Sequence, residues 1–114
     1  MSKKLGDRGE EIAEKFLINL GYNIITKNFR TGFAEIDIIA KDANAFVFVE
    51  VKSRSSVKFG LPQEYVNKKK LEKIKLASQL FLKMNNIQDT EQRIEVVSIL
   101  TNSGSLPKIE LIKV

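Results

Sequence analysis

Cysteine and histidine are both absent from the 114 residues. Without them there is no disulfide framework, no thiol nucleophile, no Cys/His zinc site and no Ser-His-Asp triad. Long apolar runs are missing too: the longest spans a few residues, against the roughly 20 that cross a bilayer. The first residues, MSKKLGDRGEEIAEKFL, turn charged where a signal peptide keeps its apolar centre. These absences point to a cytoplasmic protein with no membrane partner. Catalysis is left to carboxylates, lysines, hydroxyls and whatever metal the carboxylates hold.

What is present is basic. Lys and Arg number 19 against 14 Asp and Glu, a formal charge of +5. Hydrophobic residues at 43% and charged residues at 29% fit a globular chain, not a disordered tail. The length suits one domain, residues 1–114, around a single core. An excess of cations suggests an anionic partner, nucleic acid first among them. The plainer reading is that the charge keeps a small protein soluble.

Helical spacing runs from about Leu5 to Leu20 through Ile12, Ala13, Phe16 and Leu17, and Gly21 supplies the stop. Strands are expected over Tyr22–Phe29, Ala34–Lys41 and Ala45–Ser53, the last apolar enough for burial on both faces. Residues 54–61 form a loop, and Pro62 is placed to open a long helix reaching about Met84. Two further strands, Arg93–Leu100 and Lys108–Val114, flank a turn at Asn102–Ser105. The order is α-β-β-β-α-β-β, an α/β fold without repeat or linker.

Side chains alternate along a strand, so Glu50 and Lys52 share one face. Glu and Lys at i, i+2 often face solvent on an edge strand. Here they end an apolar strand, where a buried charge needs a partner or an ion. Asp37 lies on the preceding strand amid Ile36, Ile38 and Ile39. A two-residue turn at Ala43–Asn44, or a four-residue loop around it, sets Asp37 opposite Glu50, with Cβ atoms about 5 Å apart. Two such carboxylates repel, and a cation such as Mg²⁺ relieves them. A slip of one residue would put the acids on opposite faces. On the first helix, Gly6 and Gly9 allow close backbone approach, and Glu10 sits at the rim of the buried face. Glu10 is the best-placed third acid. Taken alone, GEEIAEK reads as a solvated acidic half complementing the helix dipole.

Asp37 followed by Glu50-Val51-Lys52 resembles the PD-(D/E)xK nuclease superfamily. The stretches GDRGEEIAEKFL, AEIDIIAKD, FVFVEVKSRS and FGLP, in this order, resemble more closely the YraN-type family of small bacterial proteins. That resemblance runs from about Gly6 to Ile99, with Ala34 where Gly is usual and Glu95 where Asp is usual. It implies a restriction-endonuclease-like mixed central sheet flanked by helices. It also implies an Mg²⁺- or Mn²⁺-dependent endonuclease, with Glu10, Asp37 and Glu50 at the metal and Lys52 as the catalytic lysine. The related archaeal junction resolvases use two sites, which brings in a homodimer.

DNA contact is expected from Lys68, Lys69, Lys70, Lys73 and Lys75 at the start of the second helix, and from Arg30, Arg54 and Lys58 in loops. A solvated lysine face is the bland alternative for Lys73 and Lys75. Gln63 and Glu64 follow Pro62 close to the expected site; Gln63 is read as a helix-opening residue. Most of the seven Phe read as core, leaving few aromatics for bases. The rival is a non-catalytic module, either a double-stranded RNA-binding domain with its α-β-β-β-α order or a nuclease fold without turnover.

Overall fold

The β-branched and aromatic runs pair into one five-stranded sheet, in the order β1-β2-β3-β4-β5. In the computed structural model, which describes residues 3–55, 66–101 and 106–114, the elements are α1 (Lys3–Asn19), β1 (Asn23–Arg30), β2 (Glu35–Asp42), β3 (Ala45–Arg54), α2 (Lys68–Met84), β4 (Glu91–Leu100) and β5 (Lys108–Lys113). Neighbours are antiparallel except β3 and β4, which run parallel. A parallel pair needs a crossover, and α2 supplies it. The element order and the mixed sheet agree with the sequence reading. A five-stranded sheet with a parallel β3–β4 pair does not match the double-stranded RNA-binding rival.

Every residue from Ala45 to Glu50 in β3 is buried, because a helix covers each face of the sheet. Val47 and Val49 pack with Ala13 and Leu17 of α1, joined by Ile38, Ala40, Val97 and Ile99. Phe46 and Phe48 pack with Ile74, Ala77, Phe81 and Leu82 of α2. Phe81 centres that second cluster, its ring 5.4 Å from Phe29, 6.4 Å from Phe46 and 6.2 Å from Phe48. Gly9 lets α1 close onto β3: a Cβ there would stand 2.5 Å from Ser53 Oγ. Gly21, at φ 97°, stops α1, and the Tyr22 N–H donates to the Leu17 carbonyl at 3.0 Å.

Two expectations need correction. Leu20, counted in the buried arc, is half exposed, because α1 ends at Asn19 before the arc returns to the sheet. The second helix begins at Lys68, not near Pro62. Asn67 caps it by accepting the Lys70 N–H on its side chain at 2.8 Å, which satisfies an otherwise orphan donor. Pro62, Gln63, Glu64 and the turn at Asn102–Ser105 lie outside the described residues. Strand limits move by one or two residues, β4 opening at Glu91 instead of Arg93. Among the described residues no helix is long and apolar enough to cross a membrane.

Candidate active site

The β2–β3 hairpin decides whether the acids meet. Asp42 pairs with Ala45 across the two-residue turn, and the register holds back to Ile38 opposite Val49. The next step opposes Asp37 and Glu50, and there the backbone ladder stops. Asp37 Oδ2 instead accepts the Val51 N–H at 2.8 Å, so a carboxylate stands in for a strand carbonyl. β2 remains paired to β1 as far as Glu35, and the two neighbours therefore fork at Asp37. The fork shows in the packing: Ile38 joins the α1 core, whereas Ile36 joins the α2 core.

Into this fork comes Glu50, 6% exposed, on the α2 side of β3. Lys70 Nζ, from the first turn of α2, contacts Glu50 Oε2, and Lys52 Nζ lies 3.5 Å from the same oxygen. Burial and then the charge of Glu50 push the Asp37 carboxyl from 3.8 up to about 7, with a smaller contribution from Glu10; the Val51 N–H works the other way. Burial and the neighbouring Lys70 ammonium lower Lys52. Burial also works to lower Lys70, but its contact with Glu50 outweighs that and the net direction is up. One lysine thus holds its proton more tightly and the other more loosely. Two interacting carboxyls and two unlike ammonium groups make a site able to hold a cation and move a proton.

Comparison with known proteins adds the family. The description "Uncharacterised protein family UPF0102" matches residues 9–99. The chain belongs to UPF0102. A UPF0102 protein of Caldicellulosiruptor bescii is 47% identical over 113 residues, covering 97% of this chain and 95% of its own length. One from Geotalea daltonii is 43% identical over 112 residues, covering 98% and 88%. A third, from Clostridioides difficile, is 43% identical over 98 residues, covering 86% of each. The YraN-type resemblance read from the motifs is this same family.

In this UPF0102 fold, Asp37, Glu50 and Lys52 come together as expected, whereas Glu10 stands further off. It is half-buried on α1 and raises the Asp37 carboxyl through space. Among the described residues no three acids lie close enough to hold a metal ion together. The donor set is a carboxylate pair, which suits a hard cation that keeps most of its water.

The basic residues divide. Lys69, Lys70 and Lys73 share a helix face and border a cavity of about 380 Å³ that reaches Phe33 and Glu35. Lys75 borders a different cavity, beside Gln79 and Arg93, and Lys68 is exposed in the first turn of α2. Arg30 pairs with Glu35, its Nε 2.5 Å from Oε2. Arg54 is half-buried at the end of β3, where its carbonyl accepts the Thr101 N–H at 2.8 Å. Lys58 lies outside the described residues.

Sequence reasoning missed two contacts. Lys70 was assigned to DNA alone, and its hold on Glu50 joins residues 20 apart in the chain; the available signal was three lysines crowding the positive end of a helix. The other is a buried network on the α1 face of the sheet, where Glu95 opposes Val49. Tyr22 OH donates to Glu95 Oε1 at 2.8 Å, while Arg93 donates to Glu95 Oε2 at 3.0 Å and to Asp42 Oδ2 at 2.7 Å. The Arg93-Ile94-Glu95 spacing, read as Glu50-Val51-Lys52 was, pointed to it.

Proposed function

We infer that the fork is a phosphodiesterase site and that the protein is a metal-dependent endonuclease acting on DNA. The observation that carries this reading is the convergence of Asp37, Glu50 and Lys52 in one half-buried cleft. Asp37 and Glu50 would hold Mg²⁺ or Mn²⁺, with Glu10 reaching its shell through water. Such an ion, when bound, supplies Lewis acidity and a water that ionises near neutral pH.

The residues themselves do the rest. Lys52, with its proton held loosely, can give that proton to the leaving oxygen and, as the free amine so formed, take one at Nζ from water to return to its starting state. Lys70, whose proton is held firmly, remains a cation able to face the charge that grows on phosphate oxygens. The Val51 N–H fixes the orientation of the Asp37 carboxylate, so that group needs no rearrangement during reaction. The absence of cysteine accords with work in the reducing cytoplasm, and a homodimer would present two such clefts to a branched substrate.

A second reading has its own support: Lys70 already neutralises Glu50, as in a nuclease fold that binds DNA without turnover. A cleavage panel over branched, nicked and linear DNA, with Mn²⁺ present, separates the two. The wild type is expected to cut at least one substrate. Asp37→Asn and Lys52→Ala are expected to lose about 100-fold or more in rate with unchanged circular dichroism. Full cleavage by both variants refutes the catalytic reading.

A further inference from the structure

We propose that the cavity between the β1–β2 turn and the first turns of α2 receives an unpaired nucleotide, with the Phe33 ring stacked on its base and Lys69, Lys70 and Lys73 at the flanking phosphates. This goes beyond the nuclease reading, and rests on it for one point: the nucleotide lies next to the bond to be cut.

Four observations converge on this cavity. Phe33 is 45% exposed, and among the described residues it is the one exposed phenylalanine; Phe46, Phe48 and Phe81 are buried in the α2 core, and Phe16 and Phe29 pack against the two cores. A large apolar ring left in water beside lysines is a stacking platform without its partner. Its presentation is fixed, because Thr31 Oγ1 accepts both the Phe33 N–H at 3.1 Å and the Ala34 N–H at 2.9 Å, while the Thr31 N–H donates to the Ala34 carbonyl at 2.9 Å. The ring therefore projects from a pinned turn.

The opposite wall is cationic in a place that costs the helix. Lys68, Lys69 and Lys70 occupy the first turn of α2, with no acid there to complement the dipole. Like charges crowded at the positive helix end are relieved by an incoming anion. Glu35 is the carboxylate on the cavity wall, and Arg30 pairs with it, so the lysines are not neutralised from within the cavity. The volume of about 380 Å³ falls in the range of small-ligand sites.

Position then sets the substrate class. Lys70 borders the cavity on one side and holds Glu50 on the other, so it is the wall shared with the acid pair. A strand seated here presents a phosphate to Lys70 and a base to Phe33 together. In continuous duplex that base is stacked and paired, and engaging Phe33 means breaking it out. Single strands, gaps, flaps and branch points offer it free. The ligand class is therefore nucleic acid with an unpaired nucleotide.

The chain contains no tryptophan, so Phe33→Trp introduces a single indole at the platform, excited selectively over the two tyrosines. The variant is titrated in EDTA with a short oligothymidine, with a blunt duplex of equal length and with polyglutamate. Oligothymidine is expected to quench the fluorescence at about tenfold lower concentration than duplex, and polyglutamate to leave it unchanged. Phe33→Ala is expected to weaken oligothymidine binding about tenfold and duplex binding little. Equal quenching by both DNA forms, quenching by the acidic peptide, or no loss in Phe33→Ala overturns the proposal. Because no turnover is involved, the two readings fail separately: quenching without any cleavage keeps the platform and removes the nuclease, and cleavage without strand preference does the reverse.

Discussion

The Asp37 carboxylate is expected to weaken the fold that holds it. Burial first, and the charge of Glu50 second, raise it from 3.8 to about 7; Glu10 adds to this, the Val51 N–H opposes it, and Lys52 and Lys70 stand around Glu50. A carboxyl raised on folding binds its proton more tightly in the native state. Stability from this group is therefore fully present below about pH 4 and lost as pH climbs toward 7. At 1.36 kcal/mol per pH unit the whole interval is worth about 4 kcal/mol. Asp37 keeps some contact with solvent, which screens its charge and reduces the expected effect to roughly 2 kcal/mol. Asp37→Asn removes the charge and keeps an oxygen for the Val51 N–H. In EDTA at pH 8 the variant is expected to be more stable than the wild type by about 2 kcal/mol, roughly 5–10 °C in Tm. At pH 4, where Asp37 is protonated, the two should nearly coincide. Urea unfolding at a series of pH values reads the gap directly, since all other titrating groups are common to both. Mn²⁺ added at pH 8 should raise the wild type and leave the variant unmoved. A variant less stable at pH 8, or a gap that does not open with pH, refutes the reasoning.

Two further perturbations test the contacts around it. Lys70→Met leaves Glu50 with Lys52 alone at 3.5 Å. Stripping a partner from a fully desolvated ion pair costs 3–5 kcal/mol, and the 40% exposure of Lys70 reduces this to about 1–2 kcal/mol, read by urea unfolding in EDTA. The same variant is expected to bind Mn²⁺ about tenfold more tightly by electron paramagnetic resonance, since no ammonium competes for Oε2; unchanged stability and affinity together discard the competition. Tyr22→Phe removes the donor to the fully buried Glu95 Oε1 and is expected to cost about 1–3 kcal/mol in chemical unfolding. A loss below about 0.3 kcal/mol would make that hydrogen bond structurally idle.

How much of this could be read in advance depended on the range of each signal. The hairpin was legible because strand side chains alternate and the turn falls at Ala43–Asn44, so parity alone put Asp37 and Glu50 on a common level. The fork was not, since it arises where a carboxylate replaces a backbone acceptor and no pattern marks that exchange. Pro62 was the start signal read for α2, and the side-chain cap at Asn67, which that reading passed over, defines the observed start. The position of Glu10 at the rim of α1 followed from helical geometry, but its distance from the acid pair depends on how α1 settles on the sheet. Lys70 on Glu50 is a tertiary contact between a helix terminus and a strand, beyond the reach of periodicity.

The two buried charge clusters, on opposite faces of the sheet, differ in the cation each holds, and only one is a candidate for chemistry. Around Glu95 the cation is Arg93, raised further by its hydrogen bond to Asp42, and both Glu95 oxygens have donors. Guanidinium does not release its proton in a protein, so the cation of that network is fixed and serves the fold. Around Glu50 the cations are lysines, pulled in opposite directions, and the adjoining carboxyl titrates near pH 7. A proton there can move near pH 7. Arg93 and Glu95 also border a cavity, of about 440 Å³, as Lys70 does, so open space by itself does not divide the two clusters. Charge that can titrate, not buried charge as such, separates the site from the scaffold.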